Sequence, residues 1–247
     1  ASSDGSPSVS VAAGTFSDAS SNTNSVSNTY TWTYDGTGPT MTITSATVSS
    51  GASTATAAIV LTFTSNEATS DFAQADITES GCSLGTFGTT SSTVYTDTCT
   101  ASSEGTPTVL VAAGAFNDAL SNTNSVSNTY TWTYDTTAPT IGITSIAGDD
   151  YVNEDEYATN GFSVVGSVSG ANGQTVTVDY GGASATCAAA SGAFTCTFAA
   201  SVLAAANSGS GVSDSSSPGV TVTANVDDAA GNSATQASTW VTQDTAD

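Results

Sequence analysis

Lysine, arginine and histidine are all absent from the 247 residues, while aspartate and glutamate total 22, so the formal net charge is -22. A surface charged only negatively repels phosphate backbones and anionic headgroups, which argues against nucleic acid or a membrane surface as partner and leaves cations as the natural ones. The same absence removes the base that a serine or cysteine nucleophile needs, rules out histidine zinc sites and excludes Lys–Asn isopeptide cross-links. A glycosidase-type pair of carboxylates is compatible with this composition, but the chain reads as a non-enzyme. No apolar run is long enough to span a bilayer and no signal-peptide pattern occurs, so targeting and anchoring are expected outside this sequence. Charged residues are only 9% of the chain, which makes it a neutral-looking polymer with scattered carboxylates and not an acidic tail.

What is present is repetition. The string SNTNSVSNTYTWTYD occupies 21–35 and again 121–135, and residues 1–45 match 101–145 at about three positions in four. A period near one hundred residues is the size of one small β-sandwich, so the chain reads as an array of similar units. Alternation supports strands: Ala57, Ile59, Leu61 and Phe63; Val109 and Val111; Val176, Val178 and Tyr180; Val220, Val222, Ala224 and Val226. Only 201–208 suggests a short helical turn. The predicted fold is all-β, with tandem immunoglobulin-like Greek-key sandwiches of seven strands in two sheets.

The strings YDGTGPT at 34–40 and YDTTAPT at 134–140 mark linkers, each ending a strand at Asp and restarting after a proline that fixes one backbone angle. They divide the chain into 1–38, the last strands of an incomplete domain; 39–137, a full domain; and 138–247, a full domain of a diverged type. Two or three strands alone cannot bury a core, so 1–38 is expected to be completed either by sequence of the same polypeptide or by a neighbouring subunit. The end of the chain, VTQDTAD, reads as the start of a further linker.

Four cysteines allow three pairings, and the local one, Cys82 with Cys99 and Cys187 with Cys196, is selected. Cys187 and Cys196 flank the turn-like AAASGAFT and read as opposed residues of one hairpin, while Cys82 follows the turn-prone Ser80-Gly81 and Cys99 ends the alternating run Tyr95, Asp97, Cys99, which suits adjacent strands. The alternative is buried thiols. Disulfides place the chain in an oxidising compartment, outside the cell or at its surface.

The run AIVLTFTSNEATSDFAQADIT at 58–78, VLVAAGAFNDALSNTN at 109–124 and TYDTTAPT at 133–140 resemble the bacterial Ig-like repeats of giant secreted and surface proteins. GDDYVNEDE at 148–156 and VTVTANVDDAAGN at 220–232 resemble a different branch of that family, and cysteine-containing variants are similar to repeats of algal secreted proteins. The resemblance implies stalk domains, bead-on-string extenders of adhesins and extracellular fibres, with calcium stiffening the junctions. Carrying calcium over requires matching residues. Asp-Ala-x-x-Asn occurs at Asp18–Asn22, Asp118–Asn122 and Asp228–Asn232, followed after 17, 17 and 16 residues by Asp35, Asp135 and Asp244. The candidate ligands are therefore Asp35 with Glu67, Asp118 and Asn122; Asp135 with Asp227, Asp228 and Asn232; and Asp149 and Asp150 near Asp244. The competing reading is that Asp and Asn cap turns, and the missing Gly before Asn22 and Asn122 leaves those two loops open.

Tyr30, Trp32 and Tyr34, and equally Tyr130, Trp132 and Tyr134, form aromatic rows that read as core, with sugar stacking as the alternative. Exposed Ser and Thr are open to O-glycans, and no N-glycosylation sequon occurs. The function expected is a structural segment of a long extracellular filament or cell-surface stalk, partnered by copies of itself or neighbouring repeats; the alternative is a glycan- or protein-binding module.

Overall fold

A computed structural model describes residues 3–69, 71–206 and 215–243. The chain is all-β, and it divides into two compact units, one formed by 1–51 with 58–132 and the other by 52–57 with 133–247.

In the first unit the strands are β1 (Ser8–Val9), β2 (Tyr30–Thr31), β3 (Met41–Ser45), β5 (Ala58–Ser65), β6 (Ile77–Ser80), β7 (Cys82–Leu84), β8 (Gly88–Thr89), β9 (Val94–Ala101), β10 (Thr108–Val111) and β11 (Tyr130–Thr131); β4 (Ser53–Thr54) belongs to the second unit. One sheet runs β3-β5-β9-β7 with β8 alongside β9, and the other runs β11-β10-β6. With β7 and β8 taken as one interrupted edge strand along β9, this four-plus-three arrangement is the Ig-type order. The period-2 pattern decides which side faces in: Ile59, Leu61 and Phe63 of β5 are fully buried, whereas Val60 between them is half exposed. Opposite them lie Val109, Val111, Tyr130 and Trp132, all buried. Phe72 fills one end of this core, with ring centroids 5.0 Å from both Tyr95 and Phe116. β1 and β2 pair separately, Ser8 with Thr31 and Val9 with Tyr30.

In the second unit β4 pairs in parallel with β12 (Thr133–Tyr134). It continues through β13 (Thr140–Ile146), β14 (Tyr151–Val152), β15 (Phe162–Ser169), β16 (Thr175–Tyr180), β17 (Ala183–Ala188), β18 (Ala193–Phe198), a short helix α1 (Ala200–Ala206), β19 (Ser215–Val226) and β20 (Ala237–Gln243). The sheets β13-β15-β18 and β14-β20-β19-β16-β17 share one core, with Val164, Val178, Phe198, Val222 and Ala224 completely buried. Gly166 in β15 is required by that packing, because a Cβ there would lie 2.2 Å from both the Phe194 ring and the Gly142 carbonyl.

Both disulfides form, Cys82–Cys99 and Cys187–Cys196, with Cα separations of 5.8 and 5.1 Å. The first links β7 to its ladder partner β9. The second differs from the hairpin that the spacing suggests. Its strands β17 and β18 turn at Ala190 and Ala193 and then enter opposite sheets, so this bond staples the two layers. Closing loops of 17 and 9 residues constrains the unfolded chain by roughly 2 to 3 kcal/mol each in the chain-entropy estimate.

Candidate metal centre

The Asp-Ala-x-x-Asn motif has the same hydrogen bonding at every copy. Asp118 Oδ1 accepts the backbone N–H groups of Leu120 and Asn122 at 2.8 and 2.9 Å, and its Oδ2 accepts Asn122 Nδ2 at 2.8 Å. Asp18 does the same with Ser20 and Asn22, and Asp228 with Ala230 and Asn232. A short carboxylate two to four residues upstream of these donors closes the turn, which is the physical reason for Asp at this place. Ser21 and Ser121 sit at φ 65° and 67°, in the left-handed region that Gly231 occupies at 89°. The first two loops therefore reach the geometry of the third without its glycine.

The linker aspartates come to these turns. Asn122 Nδ2 donates to the Asp35 carbonyl at 3.2 Å, and Asn232 Nδ2 donates to the Asp135 carbonyl at 2.9 Å. In the first unit this tether brings carboxylate oxygens of Asp35, Glu67 and Asp118 within 4.8 Å of one another, Asp118 being buried and the other two half-buried. Glu67 follows the end of β5, and two residues on Thr69 bridges to Asp118, which pins the Asp118 loop beside it. An open cleft beside the cluster is lined by Asp4, Tyr34, Asp35, Asn66 and Glu67.

Charge is left uncompensated there, since the chain has no cationic side chain to offer. Burial raises the Glu67 pKa above the ordinary carboxylate value, and the neighbouring charges of Asp35, Asp118 and Asp4 raise it further. Asp118 moves the other way, because the Asn122 amide and three backbone N–H groups hold it ionised below the usual value. Three hard oxygen donors without nitrogen or sulfur fit a hard divalent cation that takes six to eight oxygens, the remainder from carbonyls or water.

A model of the bacterial Ig-like domain family matches residues 35–134. The matched segment begins at Asp35 and contains Glu67, Asp118 and Asn122, so the whole cluster lies inside it. Among solved structures, a bacterial immunoglobulin-like domain from the M. primoryensis ice-binding adhesin is similar at 29% identity, covering 44% of this chain and 99% of that one with a TM-score of 0.31. An adhesin described as Ca2+-stabilized, which helps an Antarctic bacterium reach out and bind ice, is 25% identical with a TM-score of 0.39; the match covers 98% of this chain and 57% of that one. A 1.5-MDa bacterial ice-binding adhesin is 22% identical, at 98% and 74% coverage and a TM-score of 0.37. No curated protein matches the sequence.

Outside the matched segment the remaining candidates are placed differently. Asp135, Asp228 and Asn232 share the tether but gather no third carboxylate among the described residues, and Asp227 is exposed beside them. Asp149 and Asp150 accept the backbone N–H groups of Tyr151 and Ile146, which is turn capping, with Asp150 at φ 61°. Asp244 lies outside the described residues. Asp4 was not singled out by sequence: its carboxylate holds the linker through Gly36 and Thr37 and adds to the field at Glu67. The signal was there, since the second copy keeps an acid, Glu104, at the matching position. The first aromatic row departs from the core assignment: Tyr30 and Trp32 are 65% and 40% exposed, while Tyr130 and Trp132 are buried.

Proposed function

We propose that this chain is a non-catalytic structural segment of an adhesin-type extracellular stalk. In this reading Ig-like sandwiches run in tandem, with 39–137 and 138–247 as successive full domains, and calcium binds where the linker carboxylate of Asp35 meets Glu67 and Asp118. The observation that carries it is the convergence of three carboxylates in a protein that cannot neutralise them from within. Such a site binds a cation as soon as one is available at sufficient concentration, which suits an extracellular setting better than a calcium-poor one. Two disulfides agree with that compartment. The bound ion would tie the linker to the Asp118 loop, so that tension along the chain is resisted at the point where it enters the sandwich.

Glu67→Gln tests this through a reversal of sign. The raised pKa means that ionised Glu67 disfavours the native state above its folded pKa, and that this penalty is relieved as pH falls through that value. With chelator at neutral pH, Glu67→Gln is therefore expected to melt at or above the parent temperature. With calcium it is expected to melt below the parent, because a ligand has been lost. A variant that shifted equally in both conditions would contradict calcium at this site.

A further inference from the structure

The first copy of the repeat is folded like the second but lacks what covers it. Val111 N donates to Ser127 Oγ at 2.9 Å and Val11 N to Ser27 Oγ at 2.8 Å; Phe116 N donates to Asn124 Oδ1 at 3.0 Å and Phe16 N to Asn24 Oδ1 at 3.1 Å. The registers also agree, Val109 with Tyr130 and Val9 with Tyr30. Burial separates the copies. Val109, Val111, Phe116, Tyr130 and Trp132 are at most 2% exposed, whereas Val9, Val11, Phe16, Tyr30 and Trp32 are 40 to 65% exposed. The contrast is confined to the inward face, because Val26 and Val126, on the other side, are exposed in both copies at 65% and 61%.

What covers the second copy is on view. β5 buries Ile59, Leu61 and Phe63 in the same unit, Phe72 packs its ring against both Phe63 and Phe116, β6 pairs along β10 from Val111–Ile77 to Thr108–Ser80, and the Asn128 amide exchanges two hydrogen bonds with the Ile43 backbone. Asn28 repeats Asn128, and among the described residues β1 pairs only with β2. We infer that the face of Val9, Val11, Phe16, Tyr30 and Trp32 is a docking surface for a half-sandwich of the sequence class of residues 39–103. The occupant must bring alternating apolar strands for the face and an edge strand for β1. A second copy of this chain does not fit, because its own 39–103 half is already closed by 104–132. The inference stands apart from the calcium reading and predicts the same outcome in calcium and in chelator.

The test duplicates residues 39–103 directly ahead of Asp4 in the full chain, in a Trp240→Phe background that leaves Trp32 and Trp132 as emitters. In the parent, acrylamide should quench one emission component readily, that of Trp32, and spare the other. In the extended chain the readily quenched component is expected to disappear, and the two added cysteines to resist alkylation as Cys82 and Cys99 do. Placing Asp at the added copy of Leu61 should restore quenching. Persistence of the quenched component, with the added cysteines alkylated while Cys82 and Cys99 stay protected, would overturn the inference, because an identical half has then folded over 104–132 and refused 4–35. Dimerisation of the unmodified chain with Trp32 shielded would overturn it in favour of self-association.

Discussion

Calcium added to the chelated protein is expected to raise the melting temperature of the transition that includes residues 35–134 by about 10 °C or more, once free calcium reaches about one hundred times its dissociation constant. A ligand that binds only the native state adds about 2.7 kcal/mol at that ratio, and about 1 kcal/mol moves the midpoint of a 60–100-residue domain by roughly 4–8 °C. The chain amplifies the effect in one respect: it has no lysine, arginine or histidine side chain to neutralise the Asp35, Glu67 and Asp118 carboxylates. Sodium chloride at matched ionic strength separates binding from screening, which weakens repulsion among exposed acids over about 8 Å at physiological salt. An equal rise in both salts would mean that screening, not a site, is responsible.

The second large effect comes from one substitution made in both copies of the repeat. Trp132→Ala is expected to cost about 3–5 kcal/mol, the usual range for removing a fully buried large aromatic side chain, while Trp32→Ala should stay within about 0.5 kcal/mol, as a surface change does. The two residues occupy the same place in identical fifteen-residue strings and pair with their tyrosines at 6.3 and 6.1 Å. Urea denaturation in excess calcium measures both. Equal costs would show that burial by the β5 side of the sandwich is not what distinguishes them.

That pair also marks the limit of what the sequence could tell. Alternation in β5 and the repeated valines of β10 gave the strands and their inward faces, because a half-buried sheet leaves a period-2 record. Cysteine spacing gave the pairing but not the geometry. Whether β17 and β18 lie in one ladder or in two layers depends on β15 and β16, the neighbours they find, and not on the eight residues between the cysteines. Identical strings at 21–35 and 121–135 carry identical local structure and opposite exposure, since burial is decided by Ile59, Leu61 and Phe63, far away in sequence. Among the acids, the fixed spacing from turn to linker located Asp35 beside Asp118. The same spacing at Asp135 yields a tether without a carboxylate group of three, for want of a partner placed like Glu67. Asp97 shows the opposite case. It reads as one step of an alternating strand but is buried, and it is accommodated because Gly85, Thr98 and Gln74 all donate to it.

The proposed stalk is tested most directly by stretching single molecules end to end in calcium. Independent closed sandwiches over 39–137 and 138–247 predict two separate rupture events, each releasing about 25–35 nm at roughly 3.6 Å per residue. Reducing agent should lengthen these steps by about 6 and 3 nm, as the 17- and 9-residue loops behind the disulfides are freed at the same extension per residue. A single event releasing the whole chain, or extension without any resisted step, would contradict the account.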